Sequence, residues 1–217
     1  MHSCSLLGAV ACASLLGTMA HAGVVVTPSQ LLWNQRVTSG GQSVGVETFN
    51  SYVGYNASGV TGDVGDVTWT ASASPSGLLA SNGNLRTADA FATLTFSFSK
   101  GVRGVAGNIF GSNLLGNAVP AIIDVTVSDG TAYEGIAFSA GEFIGFYSSS
   151  ANITSLSITV ASFDPSASIT SLSITVASPL PGASVFASID NLYLAVPSPG
   201  AAALVGLAGL LTRRRRV

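Results

Sequence analysis

The sequence predicts an all-β protein, a two-sheet antiparallel β-sandwich of jelly-roll-like outline. Three observations predict it. Apolar and hydroxyl residues alternate in short runs through the central region. Gly, Ser and Asp separate those runs. After residue 23, no apolar stripe of helical period and useful length is visible. Many short strands divided by turn residues bury their apolar faces as a sandwich or a barrel.

The elements follow in order. Asp66-Val67-Thr68-Trp69-Thr70 alternates, as does Leu94-Thr95-Phe96-Ser97-Phe98-Ser99, the pattern of strands with one buried face. Ile123, Val125 and Val127 lead into Ser128-Asp129-Gly130-Thr131. An Asp-Gly pair between alternating runs signals a hairpin, with residues 133–138 as the return strand. Residues 142–147, 153–160, 169–176 and 185–196 complete the set. Trp33 and Trp69 read as core residues.

Residues 153–162 (Ile-Thr-Ser-Leu-Ser-Ile-Thr-Val-Ala-Ser) recur letter for letter at 169–178. Two copies do not make a solenoid; they read as a local duplication. An extra strand reverses the direction of everything after it, so one copy is expected outside the core sheet. Pro179 and Pro181 follow the second copy and point to that one.

Composition narrows the chemistry. Charged residues make up 8% of the chain, against roughly 25% in an average soluble domain. From residue 23 to 196 there are four basic and ten acidic residues, a net charge of −6, which disfavours a nucleic-acid partner. Cys4, Cys12, His2 and His21 all precede residue 23. The central domain therefore has no disulfide, thiolate nucleophile, histidine base or Cys/His zinc site.

Both ends read as address segments. A Leu/Ala/Gly-rich run and the small-x-small site Ala20-His21-Ala22 make residues 1–22 a secretory signal peptide, helical in its apolar stretch. Residues 23–196 are then the sandwich domain, and 197–217 a tail. The tail reads Pro197-Ser198-Pro199-Gly200, an apolar run to Leu211, and Arg213, Arg214, Arg215 and Arg216. A helix over the apolar run spans about 20 Å, short of the roughly 30 Å hydrocarbon core, so it is a marginal anchor. Its arginines stay cytoplasmic, leaving the sandwich outside.

This layout resembles the PEP-CTERM sorting tail: a Pro-x-Pro motif, a short Gly/Ala/Leu helix and an arginine cluster. Ser198 stands where that family's name has Glu, so which sorting enzyme reads the motif is open. The resemblance implies export across the inner membrane, transient membrane attachment through the C-terminal helix, and processing by an exosortase-type enzyme. It implies residence at the cell envelope, outer surface or extracellular matrix, and an exopolysaccharide as partner. The stretch 96–194 also resembles sandwich modules common in such proteins, which look like carbohydrate-binding or lectin-type folds. In those modules an early acidic residue and one in the last strand often hold a structural calcium. Glu47 and Asp190 would fill those roles by analogy.

The residues themselves offer two further candidates. Tyr52 and Tyr55, in Asn50-Ser51-Tyr52-Val53-Gly54-Tyr55-Asn56, read as exposed rings with neighbouring amides, the chemistry of a glycan-binding face. Glu134 and Glu142 flank a strand, and a glycosidase needs two facing carboxyls. No spacing singles that pair out. The leading expectation is therefore a non-enzymatic surface or matrix protein. The alternatives are a carbohydrate-binding module on the same fold and, third, a small glycan-active hydrolase.

Overall fold

The alternation in Val67–Ser74 sends Val67, Trp69 and Ala71 inward and leaves Thr68, Thr70 and Ser72 on the other face. That division repeats from strand to strand and fixes the architecture. The computed structural model describes residues 23–163 and 184–198. The expected signal helix, the second copy of the duplicated ten residues, and the tail from Pro199 onward lie outside the described residues.

In chain order the elements are β1 (Val25–Thr27), α1 (Gln30–Ser39), β2 (Gln42–Glu47), β3 (Gly54–Asn56), β4 (Val60–Val64), β5 (Val67–Ser74), β6 (Leu78–Ser81) and β7 (Asn84–Thr87). Then follow β8 (Thr93–Val102), β9 (Gly104–Ser112), β10 (Ala118–Val119), β11 (Ala121–Val127), β12 (Ala132–Ala137), β13 (Phe143–Tyr147), β14 (Ile153–Ser162) and β15 (Phe186–Pro197). They form two antiparallel sheets. One runs β1-β13-β9-β15-β7-β6-β3, with β10 on β9 and β2 on β15. The other runs β12-β11-β14-β8-β5-β4. The two-sheet, all-β sandwich expected from the sequence is thus the observed fold. Each expected strand among the described residues is present, and Gly130 turns the β11–β12 hairpin at a positive φ of 86°.

The core lies between the sheets. The six-stranded sheet supplies Trp69, Leu94, Phe96, Ile123, Val125, Leu156 and Ile158; the nine-stranded sheet supplies Leu85, Val105, Ile109, Phe146, Ile189, Leu192 and Leu194. Ile189 and Leu192 are three residues apart, yet both face inward. A β-bulge between them inserts one extra residue against β9, where Ile189 faces Ile109 and Leu192 faces Gly107. A Cβ on Gly107 would meet Ile189 Cδ1 at 2.6 Å and the Asn191 carbonyl oxygen at 3.0 Å, so the bulge favours glycine opposite it.

The first copy of the duplication is β14, paired with β11 on one side and β8 on the other. It is a central strand, with Ile153, Leu156, Ile158 and Val160 buried.

One expectation is corrected. A ten-residue helix, α1, lies across the outer face of the nine-stranded sheet. Only Trp33 and Val37 of its residues are buried, packing with Ala106, Phe143, Tyr193 and Ala195 in a second apolar cluster. An apolar stripe two residues wide gives almost no periodic signal, and the neighbouring Leu31 and Leu32 face solvent. Trp33 anchors the helix: its indole Nε1 donates to the Phe146 carbonyl at 3.0 Å. The local signals were Ser29, extended just before the helix, and the Gly40-Gly41 pair after it.

Candidate functional site: the aromatic rim of the sandwich

After β2 the chain turns sharply inward. Phe49 adopts a left-handed φ of 55°, costly for a bulky residue, and is fully buried. Glu47 holds this turn, its Oε1 accepting from the Phe49 amide at 2.8 Å. The Phe49 carbonyl in turn accepts from the Tyr52 amide at 3.1 Å. The turn delivers two rings to the edge of the core. Phe49 meets Trp69 edge-on at 5.5 Å between centroids, and Tyr52 meets the same indole at 5.7 Å. Phe96 closes the group 6.0 Å from Trp69.

Tyr52 is therefore half-buried, a correction to its reading as an exposed ring. Its hydroxyl donates to the Thr61 carbonyl at 3.1 Å. Burial raises the Tyr52 pKa above 10.0, helped by the Glu47 and Asp63 carboxylates, while a hydrogen bond with Ser51 opposes the rise. Asp63 itself accepts from the Thr68 hydroxyl at 2.6 Å. Gly62 lies against both rings; a Cβ there would overlap the Tyr52 hydroxyl and the Trp69 indole. The Trp69 Nε1 is buried and has no hydrogen-bond partner among the described residues. Tyr55 sits on β3, the edge strand of the nine-stranded sheet, and is 61% exposed. Of the two tyrosines, only Tyr55 offers a free ring face.

The two carboxylates expected to share a calcium go to different faces of the nine-stranded sheet. Glu47 lies directly opposite Leu192 in the β2–β15 pairing, and Leu192 is a core residue. Directly opposed residues share a face, so Glu47 points to the core side, near Tyr52. Asp190 sits in the β15 bulge, within electrostatic reach of Tyr193 in the outer apolar cluster. Burial raises the Asp190 carboxyl pKa above 3.8. The pair does not converge on one cation. Among the described residues, no group of three or more acidic side chains gathers for a metal. Calcium needs six to eight oxygens, so these residues do not fit the resident ion that the resemblance implied.

A polar network stands on the outer face instead. Asn108 Oδ1 accepts from Asn191 Nδ2 at 3.1 Å and from the Tyr193 hydroxyl at 3.4 Å. Asn108 Nδ2 donates to the Gly141 carbonyl at 3.4 Å. This network straps the bulge to the sheet. Sequence reasoning missed Phe49, Asn108 and Asn191, because each acquires its role from a partner remote in the chain or from local backbone strain. Glu134 is exposed on β12 of the six-stranded sheet, while Glu142 precedes β13 of the other sheet.

Of the tail motif, Pro197 is the last residue of β15, paired with Gln42, and Ser198 follows it. Pro199, Gly200 and the four arginines, Arg213 to Arg216, lie outside the described residues. Among the described residues no helix is long and apolar enough to cross a membrane. Fold and rim together define an antiparallel β-sandwich with an aromatic edge. Comparison with family models, with curated proteins and with solved structures returns no match.

Proposed function

We propose that this chain is an exported, surface-sorted, non-enzymatic protein of the cell envelope or extracellular matrix, associated with exopolysaccharide. A PEP-CTERM-like tail would deliver it through an exosortase-type enzyme. The reading is supported by the extent of the described strands relative to the two segments that the sequence reads as address signals. β1 begins at Val25, just after the proposed cleavage site, and β15 ends at Pro197, the first residue of the proposed sorting motif. We read the sandwich as jelly-roll-like. Strand order β13-β9-β15-β7 facing β12-β11-β14-β8 supports this, since eight strands then wind as two Greek keys. The test is truncation after Ser198, which spares the pairing of Pro197 with Gln42. The sorted protein is expected in the envelope fraction and the truncated one, still folded, in the medium. Equal envelope levels would overturn the reading.

A carbohydrate-binding module is the second reading, favoured by the open ring of Tyr55 on an edge strand. A sugar's C–H face packs on such a ring. Affinity electrophoresis in acidic and neutral polysaccharides should then show retardation that Tyr55→Ala abolishes. Mobility that is the same with and without polysaccharide removes this reading.

A further inference from the structure

Arg86 is the least compensated charge among the described residues. It lies on β7 between Leu85, which faces the core, and Thr87. Alternation sends its side chain to the outer face of the nine-stranded sheet, opposite Ser188 of β15. There it is 7% exposed. Its guanidinium carbon stands 5.0 Å from the centre of the Phe186 ring. Nη2 donates to the Leu114 carbonyl at 2.8 Å. Nε and Nη1, which carry three of the five guanidinium N–H donors, are buried with no partner among the described residues.

Among the described residues, no carboxylate answers this charge. The ion pair among the described residues is Lys100 with Asp66, on the other sheet. Burial lowers the Arg86 pKa, and no acidic group opposes that shift. An arginine stays protonated, so among the described residues Arg86 is a buried cation with no counter-charge, an unfavourable arrangement.

The surroundings resemble a closed site. The roof is the five-residue loop 113–117 that joins β9 to β10. It is braced from within: Asn113 Oδ1 accepts from the Leu115 and Asn117 amides at 3.0 and 3.1 Å. Leu114 supplies the only bond to the guanidinium that the loop makes among the described residues, and the Leu114 and Leu115 side chains point into solvent. A Cβ built on Gly116 would lie 3.9 Å from Ser81 Oγ and 4.0 Å from Arg86 Nε, with no nearer described neighbour. Gly116 thus leaves room for no more than a methyl-sized group beside Nε, in ordinary contact with Ser81 Oγ.

We propose that Arg86 is the anchor of an oxyanion-binding site roofed by the loop 113–117, and that its ligand is a single carboxylate, free or on a uronic acid. One guanidinium neutralises one charge. The planar fork matches a carboxylate's two oxygens. A phosphate or sulfate dianion would bury a second, unpaired charge in a domain already carrying a net −6. Ser81 Oγ supplies a hydroxyl donor on the far side of the space. Because the gap beside Nε is methyl-sized, binding requires the loop 113–117 to move outward and give up the Leu114 bond to Nη2.

The experiment is thermal unfolding of the full chain in sodium formate, sodium galacturonate or a galacturonate oligomer, each against sodium chloride and sodium sulfate at equal ionic strength. Saturating carboxylate should raise Tm by about 5 °C beyond the chloride control. A rise with the oligomer identifies an acidic glycan as the source of the carboxylate; a rise with formate alone identifies a small organic acid. Arg86→Met keeps the stem on Phe186 and removes the charge. It should fold with a Tm at or above the parent's and show no carboxylate response. Should that variant not fold, Ser81→Ala decides: a higher carboxylate concentration for half-maximal shift supports the site, and an unchanged one overturns it. No carboxylate-specific rise in the parent, an equal rise in sulfate, or a full rise in Arg86→Met would also overturn it.

Discussion

Trp33 and Gly145 make the sharpest test of how α1 is held. The indole is fully buried, and Gly145 of β13 lies directly beneath it: a Cβ on Gly145 would overlap Trp33 Cδ1. Trp33→Ala removes the indole from between Phe143, at 6.1 Å, and Tyr193, at 6.4 Å, and deletes the bond to the Phe146 carbonyl. Such a truncation costs about 3–5 kcal/mol. Gly145→Ala alone forces a methyl into the indole and costs about 1–3 kcal/mol. In the double variant the methyl enters vacated space, so Gly145→Ala should cost close to nothing there. The coupling between the two sites is then about 1–3 kcal/mol. Urea unfolding of all four proteins measures it. With a slope of about 2 kcal/mol per M, Trp33→Ala moves the midpoint down by about 2 M. Trp69 remains as the fluorescent reporter, since the chain has two tryptophans. Additivity within about 0.5 kcal/mol would refute the packing of α1 on β13.

Three further outcomes follow from the geometry. The raised Asp190 pKa means that its stabilising contribution is complete below pH 3.8 and lost as pH rises through the elevated value. Asp190→Asn should therefore match the parent at pH 3 and exceed it at pH 7 in urea midpoint; lower stability at pH 7 would contradict the burial argument. Gly62→Ala should destabilise by about 1–3 kcal/mol and shift Trp69 emission, because its methyl has no room beside Tyr52 and the indole; wild-type stability would show the rim to be loose. Deleting residues 163–178 removes one 16-residue period, with the Phe163–Phe138 ring contact, and leaves β14 intact. The shortened protein should melt within a few degrees of the parent, and a collapse of Tm would show the second copy to be structural.

The alternating runs were legible in the sequence because period-2 burial is local: each strand's inward face is written in its own residues, as in Trp69 and Ala71 or Leu94, Phe96 and Phe98. The Asp-Gly hairpin was legible for the same reason. The absence of Cys and His from residue 23 onward likewise confines the chemistry of the domain. What the tertiary structure alone decided concerns pairing across long stretches of chain. The bulge in β15 sends Asp190 to one face and the β2 register sends Glu47 to the other, so two carboxylates that suit one cation by type do not meet. Tyr52 and Tyr55, three residues apart, part company because the strained Phe49 turn draws one ring into the core edge. Helix α1 depends on one indole finding the Phe146 carbonyl, 113 residues away. Arg86 looked like any strand arginine until Phe186 and the loop 113–117 closed over it. Side-chain type and local period are properties of a segment, whereas burial of a charge and convergence of ligands are set by register between segments, which no single segment encodes.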